Sequence, residues 1–419
     1  MKKIIFLILF LTLGCHWLFG QGFQTKVFDE NIHSLQVKND GINPIYPIIN
    51  LNTNDKITVS FDEMSHDGHN YFYKLIHCNA DWKQSNLMEI EYIDGFSDGA
   101  INNYKYSFGT MFDYTNYSFQ IPNEDLQLKC SGNYTIIIYE DILDNVVATA
   151  CFSVLDEKVN IKGNVRSNTD IDFKGKHQQV DFSIATNNSY KIVSPQTDLK
   201  VYVQQNRRTD NMASLVTPSA IFPNEIEYKN NRKLIFEAGN EFKSFDISSL
   251  RNFSKEVEHI RYYNPYYHAT LYQNTFDQLH QYYSSNDING RYIVHLQESN
   301  AQSEDPDYLF VHFALYSPNP LFGTRIYISG ELNNFNYDEY NLMEYNAKTM
   351  CYEKTMLLKQ GGYDYQYTIF PYGSSKGSVE LTEGNYWETE NEYAIYVYHR
   401  MWGENYDRLI GVLVLNSGI

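Results

Sequence analysis

Short runs in which apolar and polar residues alternate recur along this chain, with turn-forming residues between them. Ile57-Thr58-Val59-Ser60-Phe61, Val180-Asp181-Phe182-Ser183-Ile184, Leu199-Lys200-Val201-Tyr202-Val203 and residues 350–358 all show it. Alternation puts successive side chains on opposite faces of an extended backbone, which is the signature of a half-buried strand. The breaks carry turn chemistry: Pro122-Asn123-Glu124-Asp125, Gly132-Asn133, Leu143-Asp144-Asn145, Gly239-Asn240 and Asn289-Gly290. Helical periodicity is nearly absent. Residues 85–92 are expected to form a short helix capped by Ser85, and residues 248–253 a helical turn. Residues 234–237 and 242–247, flanking Gly239-Asn240, read as a hairpin. The pattern predicts an all-β fold of tandem immunoglobulin-like β-sandwich domains with few short helices.

At about 150 residues per domain, 419 residues correspond to two or three domains. The expected division is a signal peptide at 1–20, a first sandwich at 21–157, a second β-rich domain at 158–300 and a third sandwich at 301–419. The polar, acidic stretch 300–307, which contains Pro306, reads as an interdomain linker. A formal charge of −18 argues against nucleic acid, which requires a basic face, and against anionic lipid headgroups.

The first twenty residues point to export. Lys2-Lys3 precedes an apolar run over 4–13, and Leu18-Phe19-Gly20 before Gln21 offers a cleavage site. Leu13-Gly14-Cys15 offers a rival site for lipidation of Cys15, with Thr12 where such sites prefer Leu. No other apolar run is long enough to cross a bilayer. Of the remaining cysteines, Cys78, Cys130, Cys151 and Cys351, the wide spacing fits neither a disulfide scaffold nor a zinc ribbon. They read as small buried hydrophobes, with a Cys130–Cys151 bridge left open.

Candidate chemistry is sparse. His66-Asp67-Gly68-His69, with Asp62 and Glu63 nearby, has metal-ligand residue types but no defined further ligand, so a solvated turn is the plainer reading. His77 and Cys78 are neighbours on one strand and face opposite ways, so they cannot form a nucleophile–base pair. No nucleophile elbow, phosphate loop or zinc-protease motif is present. No catalytic residue, metal ligand or cofactor site is therefore assigned. The aromatic run Tyr262-Tyr263-Asn264-Pro265-Tyr266-Tyr267 suits a sugar platform, a protein contact or internal packing.

The most distinctive string lies between residues 71 and 96. A strand reading Tyr71-Phe72-Tyr73-Lys74-Leu75-Ile76-His77-Cys78 runs into an Asn79-Ala80-Asp81-Trp82 turn, and Glu91-Tyr92-Ile93-Asp94-Gly95-Phe96 follows. Trp82 and Phe96 are expected as core anchors. This string resembles the first domain of the type IX secretion system plug protein family of the Bacteroidota, with His77, Cys78, Asp81, Trp82, Tyr92, Asp94, Gly95 and Phe96 as signature residues. The match continues through Tyr104-x-Tyr106-Ser107-Phe108, Ser131-Gly132-Asn133-Tyr134, Asn264-Pro265-Tyr266-Tyr267-His268 and Tyr308-x-Phe310-Val311-His312-Phe313. Cys130 departs from it, standing where an apolar residue such as Leu is expected.

The resemblance implies a non-enzymatic periplasmic subunit, peripheral to the outer membrane and monomeric in isolation. Its partner would be the outer-membrane type IX translocon barrel, whose periplasmic opening it would seal. No family motif assigns barrel-contact residues. The third region, with Gly330-Glu331-Leu332-Asn333-Asn334-Phe335 and Gly361-Gly362-Tyr363-Asp364-Tyr365, is similar to early-set immunoglobulin-like domains. Those include glycogen- and starch-binding modules, which often carry Trp at the position of Phe335. A glycan-binding β-sandwich protein is the alternative.

Overall fold

The computed structural model describes residues 22–40, 46–186, 190–276, 281–297 and 305–418. The expected signal peptide and Cys15 lie outside these residues. The described chain is built from strands, and its helices are single turns such as Glu89–Tyr92 and Pro195–Asp198. The all-β expectation therefore holds. Among the described residues no helix is long and apolar enough to cross a membrane.

Three sandwiches form, each closed over its own core. In the first, one sheet runs in the order Lys26–Val27, Val146–Leu155, Gly132–Glu140, Tyr71–Cys78, Asp98–Ala100. The facing sheet runs Ile32–Asn39, Ile57–Glu63, Thr115–Ile121, Tyr104–Tyr106. Alternation points Leu75, Phe61, Tyr117, Tyr134 and Phe152 into one shared core. In the third, strand Gly361–Pro371 organises one sheet and Tyr308–Tyr316 the other, around Phe245, Phe313, Tyr363 and Tyr367.

The second sandwich is closed by the end of the chain. Its first sheet contains Asn160–Arg166 and His177–Ala185. Its other sheet places Leu199–Gln205 beside the hairpin Glu392–His399 and Arg408–Asn416. Tyr393, Ile395, Val397 and Ile410 from that hairpin pack with Phe182, Val201 and Tyr228. The cores thus group residues differently from the consecutive segments 158–300 and 301–419. Strand Leu199–Gln205 needs a neighbour, and the last hairpin supplies it from almost two hundred positions away. On this basis we propose to count the C-terminal hairpin with the second domain.

Three local expectations also change. The helix begins at Glu89, where the Glu91 carboxylate accepts the Met88 N–H at 2.7 Å. Ser85 does not cap it, because the helix begins only at Glu89; the Ser85 hydroxyl accepts the Leu87 N–H at 3.3 Å and contacts His77 Nδ1. No helical turn forms over 248–253. Gly239-Asn240 does not close a hairpin. Strand Ile235–Glu237 pairs with His177–Ala185 in the second sandwich, and Lys243–Asp246 pairs with Gly361–Pro371 in the third. Gly239, at φ 65°, carries the chain between the two sandwiches.

Candidate functional site

The distinctive string folds into a joint between sandwiches. Strand Tyr71–Cys78 is flanked by Gly132–Glu140 and Asp98–Ala100. His77 is buried, and its Nε2 meets the Ser131 carbonyl at 3.3 Å. A carbonyl only accepts, so Nε2 carries the proton and Nδ1 accepts from the Ser85 hydroxyl at 2.9 Å. Burial pushes the His77 pKa down to about 4, so the ring is neutral. Cys78 lies on the other face, with Phe23, Ile76 and Cys151. Burial pushes its thiol up to about 12. Cys78, Cys130, Cys151 and Cys351 are free thiols.

The Asn79–Trp82 turn is where the second sandwich docks. Asp407, on the C-terminal hairpin and fully buried, accepts the Ala80 N–H at 3.0 Å. The same carboxylate binds Lys200 Nζ and Arg400 Nε, each at 2.8 Å. Burial alone would raise its pKa, but hydrogen bonds from Lys200, Ala80 and Arg400 hold the carboxyl below its ordinary value. Asn79 Oδ1 accepts Arg400 Nη2 at 2.9 Å, and its carbonyl accepts Asn133 Nδ2 at 3.1 Å. Asn133 Oδ1 in turn accepts the Tyr398 hydroxyl at 2.8 Å.

The remaining signature residues divide between packing and surface. Tyr92 is buried and donates its hydroxyl to the Leu75 carbonyl at 3.2 Å. Trp82 is half-buried against Phe23 and Ile76. Asp81 is exposed and accepts the Lys83 N–H, a local turn contact. Asp94 is exposed. Gly95 has φ 102°, and a Cβ there would sit 2.0 Å from the Asp125 carbonyl oxygen, so only glycine fits. Phe96 is 73% exposed and is not a core anchor. The Gly95 turn ends the strand, and the next side chain leaves the sandwich.

Two further junctions tie the third sandwich to the others. Asp62 of the first accepts Lys359 Nζ at 2.5 Å and the Tyr308 hydroxyl at 2.6 Å, all three groups being buried. Lys359 also lies 4.1 Å from the centre of the Tyr114 ring. The part of the expected linker that is described is pinned down: Asp305 accepts the Phe108 N–H at 3.0 Å and Asp307 the Met111 N–H at 2.7 Å. Phe112 stacks on Tyr266 with centroids 4.0 Å apart. Tyr266 of the aromatic run is therefore a junction residue, while Tyr262 and Tyr263 are about half exposed. Between the second and third sandwiches, Asp210 accepts Arg208 Nη2 at 2.7 Å, the Tyr337 hydroxyl at 3.0 Å and the Gly377 N–H at 3.0 Å. Arg291 adds an ion pair to Glu392 at 2.8 Å.

His66 and His69 serve separate structural contacts. His66 Nε2 lies 3.1 Å from the Ser107 hydroxyl, and His69 Nδ1 pairs with Glu63. Among the described residues no group of three or more His, Cys, Asp or Glu side chains is arranged to hold a metal ion.

On and beside strand Gly361–Pro371 of the third sandwich, burial holds two neighbouring carboxyls, Asp364 and Asp287, above their ordinary pKa. Asp364 accepts the Ile288 N–H at 2.5 Å, yet burial outweighs this and, with Asp287 nearby, raises its pKa to about 7. A raised carboxyl is protonated in the fold at pH 5 and charged at pH 8. Its contribution to stability is therefore lost as pH rises from the ordinary carboxylate value through about 7. Asp364→Asn removes the titration. Its stability relative to the parent is expected to improve by on the order of 2 kcal/mol between pH 5 and pH 8, read from urea midpoints.

Residues 32–156 match the model of the type 9 secretion system plug protein first domain. The crystal structure of a hypothetical protein from Parabacteroides merdae is 43% identical, covering 94% of this chain and 99% of that one, with a TM-score of 0.91. The C-terminal domain of the Streptococcus pyogenes antigen I/II-family protein AspA is 8% identical over 92% of this chain and 99% of that one. Its TM-score of 0.18 carries no argument. No curated protein matches the chain. The chain belongs to the type 9 secretion system plug protein family, a structural, envelope-associated component of that secretion system.

Proposed function

We propose that this chain is a non-enzymatic periplasmic plug that seals the periplasmic opening of the outer-membrane type IX translocon barrel. The observation that supports this reading best is the set of three buried polar nodes, centred on Asp407, Asp62 and Asp210, one at each junction. A plug for a wide pore has to span the opening without yielding. Three sandwiches joined pairwise restrain one another more than three sandwiches on flexible linkers. An acidic, polar exterior suits an interface that must also release. Export by the leader at 1–20 would deliver the chain to that compartment.

The test is co-purification. An affinity-tagged chain, expressed in its own host, is expected to come out of detergent-solubilised outer membranes together with a very large β-barrel protein. Deleting the gene is expected to make the outer membrane permeable to large antibiotics. Stable barrel complexes that never contain the chain, with an unchanged antibiotic barrier in the deletion strain, would refute the proposal.

A further inference from the structure

Most sheet ends in this chain are strands of two or three residues, such as Lys26–Val27, Asp98–Ala100 and Ala220–Phe222. Short ends keep unpaired backbone from recruiting other chains. A longer end, Leu199–Gln205, is covered: its Val203 N–H reaches the Ala213 carbonyl at 2.9 Å, and its Val201 carbonyl accepts the Val216 N–H at 3.0 Å. Strand Val257–Tyr263 of the third sandwich is neither short nor covered. It has seven residues, ends its sheet, and pairs only with Tyr266–Leu271. The two-residue turn Asn264-Pro265 makes Tyr263 and Tyr266 the closing hydrogen-bonded pair. Alternation then makes Arg261 and His268 the next bonded pair, and it turns the N–H and C=O of Ile260 and Tyr262 away from the sheet. Among the described residues nothing pairs with these outward groups.

The side chains along this edge supply a second, independent observation. Arg261 is exposed and makes no hydrogen bond or ion pair among the described residues, in a chain of formal charge −18. The one carboxylate on the strand, Glu258, sits at its bulged end, 3.9 Å from His259. Ile260 and Tyr262 point to the opposite face from Arg261. Ile260 packs against the core of the sandwich, and the Tyr262 ring lies 5.2 Å from that of Tyr267. A strand laid along this edge meets a cation at one position and apolar surface at the positions on either side.

We propose that the edge of Val257–Tyr263 binds an extended segment of another protein, added as the next strand, with an apolar–acidic–apolar pattern. The outward N–H and C=O groups of Ile260 and Tyr262 pair with the backbone of the two apolar residues, and the acidic side chain lies beside Arg261. A second copy of this chain fits poorly. The self-pairing register that satisfies Ile260 and Tyr262 of both copies sets the two copies of Arg261 opposite each other, and like charges directly opposite are destabilising. The inference does not depend on the plug reading.

The test uses the full chain from Gln21 and fluorescein-labelled threonyl-valyl-glutamyl-valyl-threonine amide, read by fluorescence anisotropy. Saturable binding is expected, with a Kd on the order of 0.1 mM. The same peptide with glutamine for glutamate is expected to bind about threefold more weakly. The peptide N-methylated on both valines is expected not to bind, because the N–H groups that join the ladder are gone. Tyr262→Pro removes an outward N–H and leaves the bonds to Tyr266–Leu271 in place, so it is expected to abolish binding while the chain stays folded by circular dichroism. Arg261→Glu, at an exposed position, is expected to weaken the glutamate peptide about tenfold and to make the lysine version the tighter binder. The proposal is overturned if the glutamate peptide does not bind at up to about 5 mM, if the N-methylated peptide binds equally well, or if Arg261→Glu leaves the preference unchanged. A dimer in sedimentation that Tyr262→Pro dissolves would assign the edge to a second copy and overturn it too.

Discussion

Asp62→Ala is expected to lower the unfolding free energy by about 3–5 kcal/mol, the largest effect of any single substitution considered for this chain. The side chains of Asp62 and Lys359 are 1% and 8% exposed, so the ammonium is left without a carboxylate and without water. The Tyr308 hydroxyl loses an acceptor at the same time, although Ser34 Oγ remains 2.6 Å away. The comparison that isolates the cause is the double variant Asp62→Leu/Lys359→Met, which replaces both charges by apolar groups. A buried ion pair gains little over a packed apolar pair, so the double variant is expected within about 2 kcal/mol of the parent. Urea unfolding followed by tyrosine and tryptophan fluorescence measures both. If the double variant is as unstable as the single one, the stability of this junction comes from something other than the charge pair.

Asp407→Asn carries the second large effect, about 3 kcal/mol at pH 7. The substitution leaves Lys200 and Arg400 facing a neutral amide and removes the acceptor pair that holds the Ala80 N–H and both cations. The pH dependence separates this from a packing defect. The Asp407 carboxyl is held below its ordinary pKa, so its stabilisation is present above the ordinary value and lost as pH falls through the folded one. The difference between variant and parent is therefore expected to be full at pH 7 and to shrink below about pH 4. Guanidinium midpoints at a series of pH values test this. A difference that stays constant down to low pH would assign the loss to shape.

The second substitution also shows what the signature string does. Asn79 and Ala80 are read from the sequence as a turn after a buried strand, and the structure agrees. Their partners, Arg400 and Asp407, stand more than three hundred positions away. No local pattern links them, because a backbone amide facing a distant carboxylate leaves no trace in the residues next to it. Phe96 shows the opposite error. An aromatic residue after a turn looks like an anchor, yet its outward direction depends on how the Gly95 turn abuts Asp125.

Elements that depend on near neighbours were legible. Alternation in Ile57–Glu63 and His177–Ala185 made strands, and adjacency separated His77 from Cys78. Placement in space was not legible. The C-terminal hairpin alternates as any strand pair does, and only Leu199–Gln205, waiting in the second sandwich, decides where it goes. The positive φ of Trp82, Arg207 and Phe335 is likewise invisible in sequence, since nothing in the residue names reveals it.

By itself the sequence determined the all-β class, the strand and turn elements and, through residues 71–96, the family. The class and the elements follow from side-chain periodicity and turn stereochemistry, which act over a few residues, whereas the family rests on the resemblance of residues 71–96 to a known one. Only the tertiary structure decided which strands share a core and which carboxylates lock the junctions. Those outcomes depend on burying charge and apolar surface between segments that are far apart in the chain.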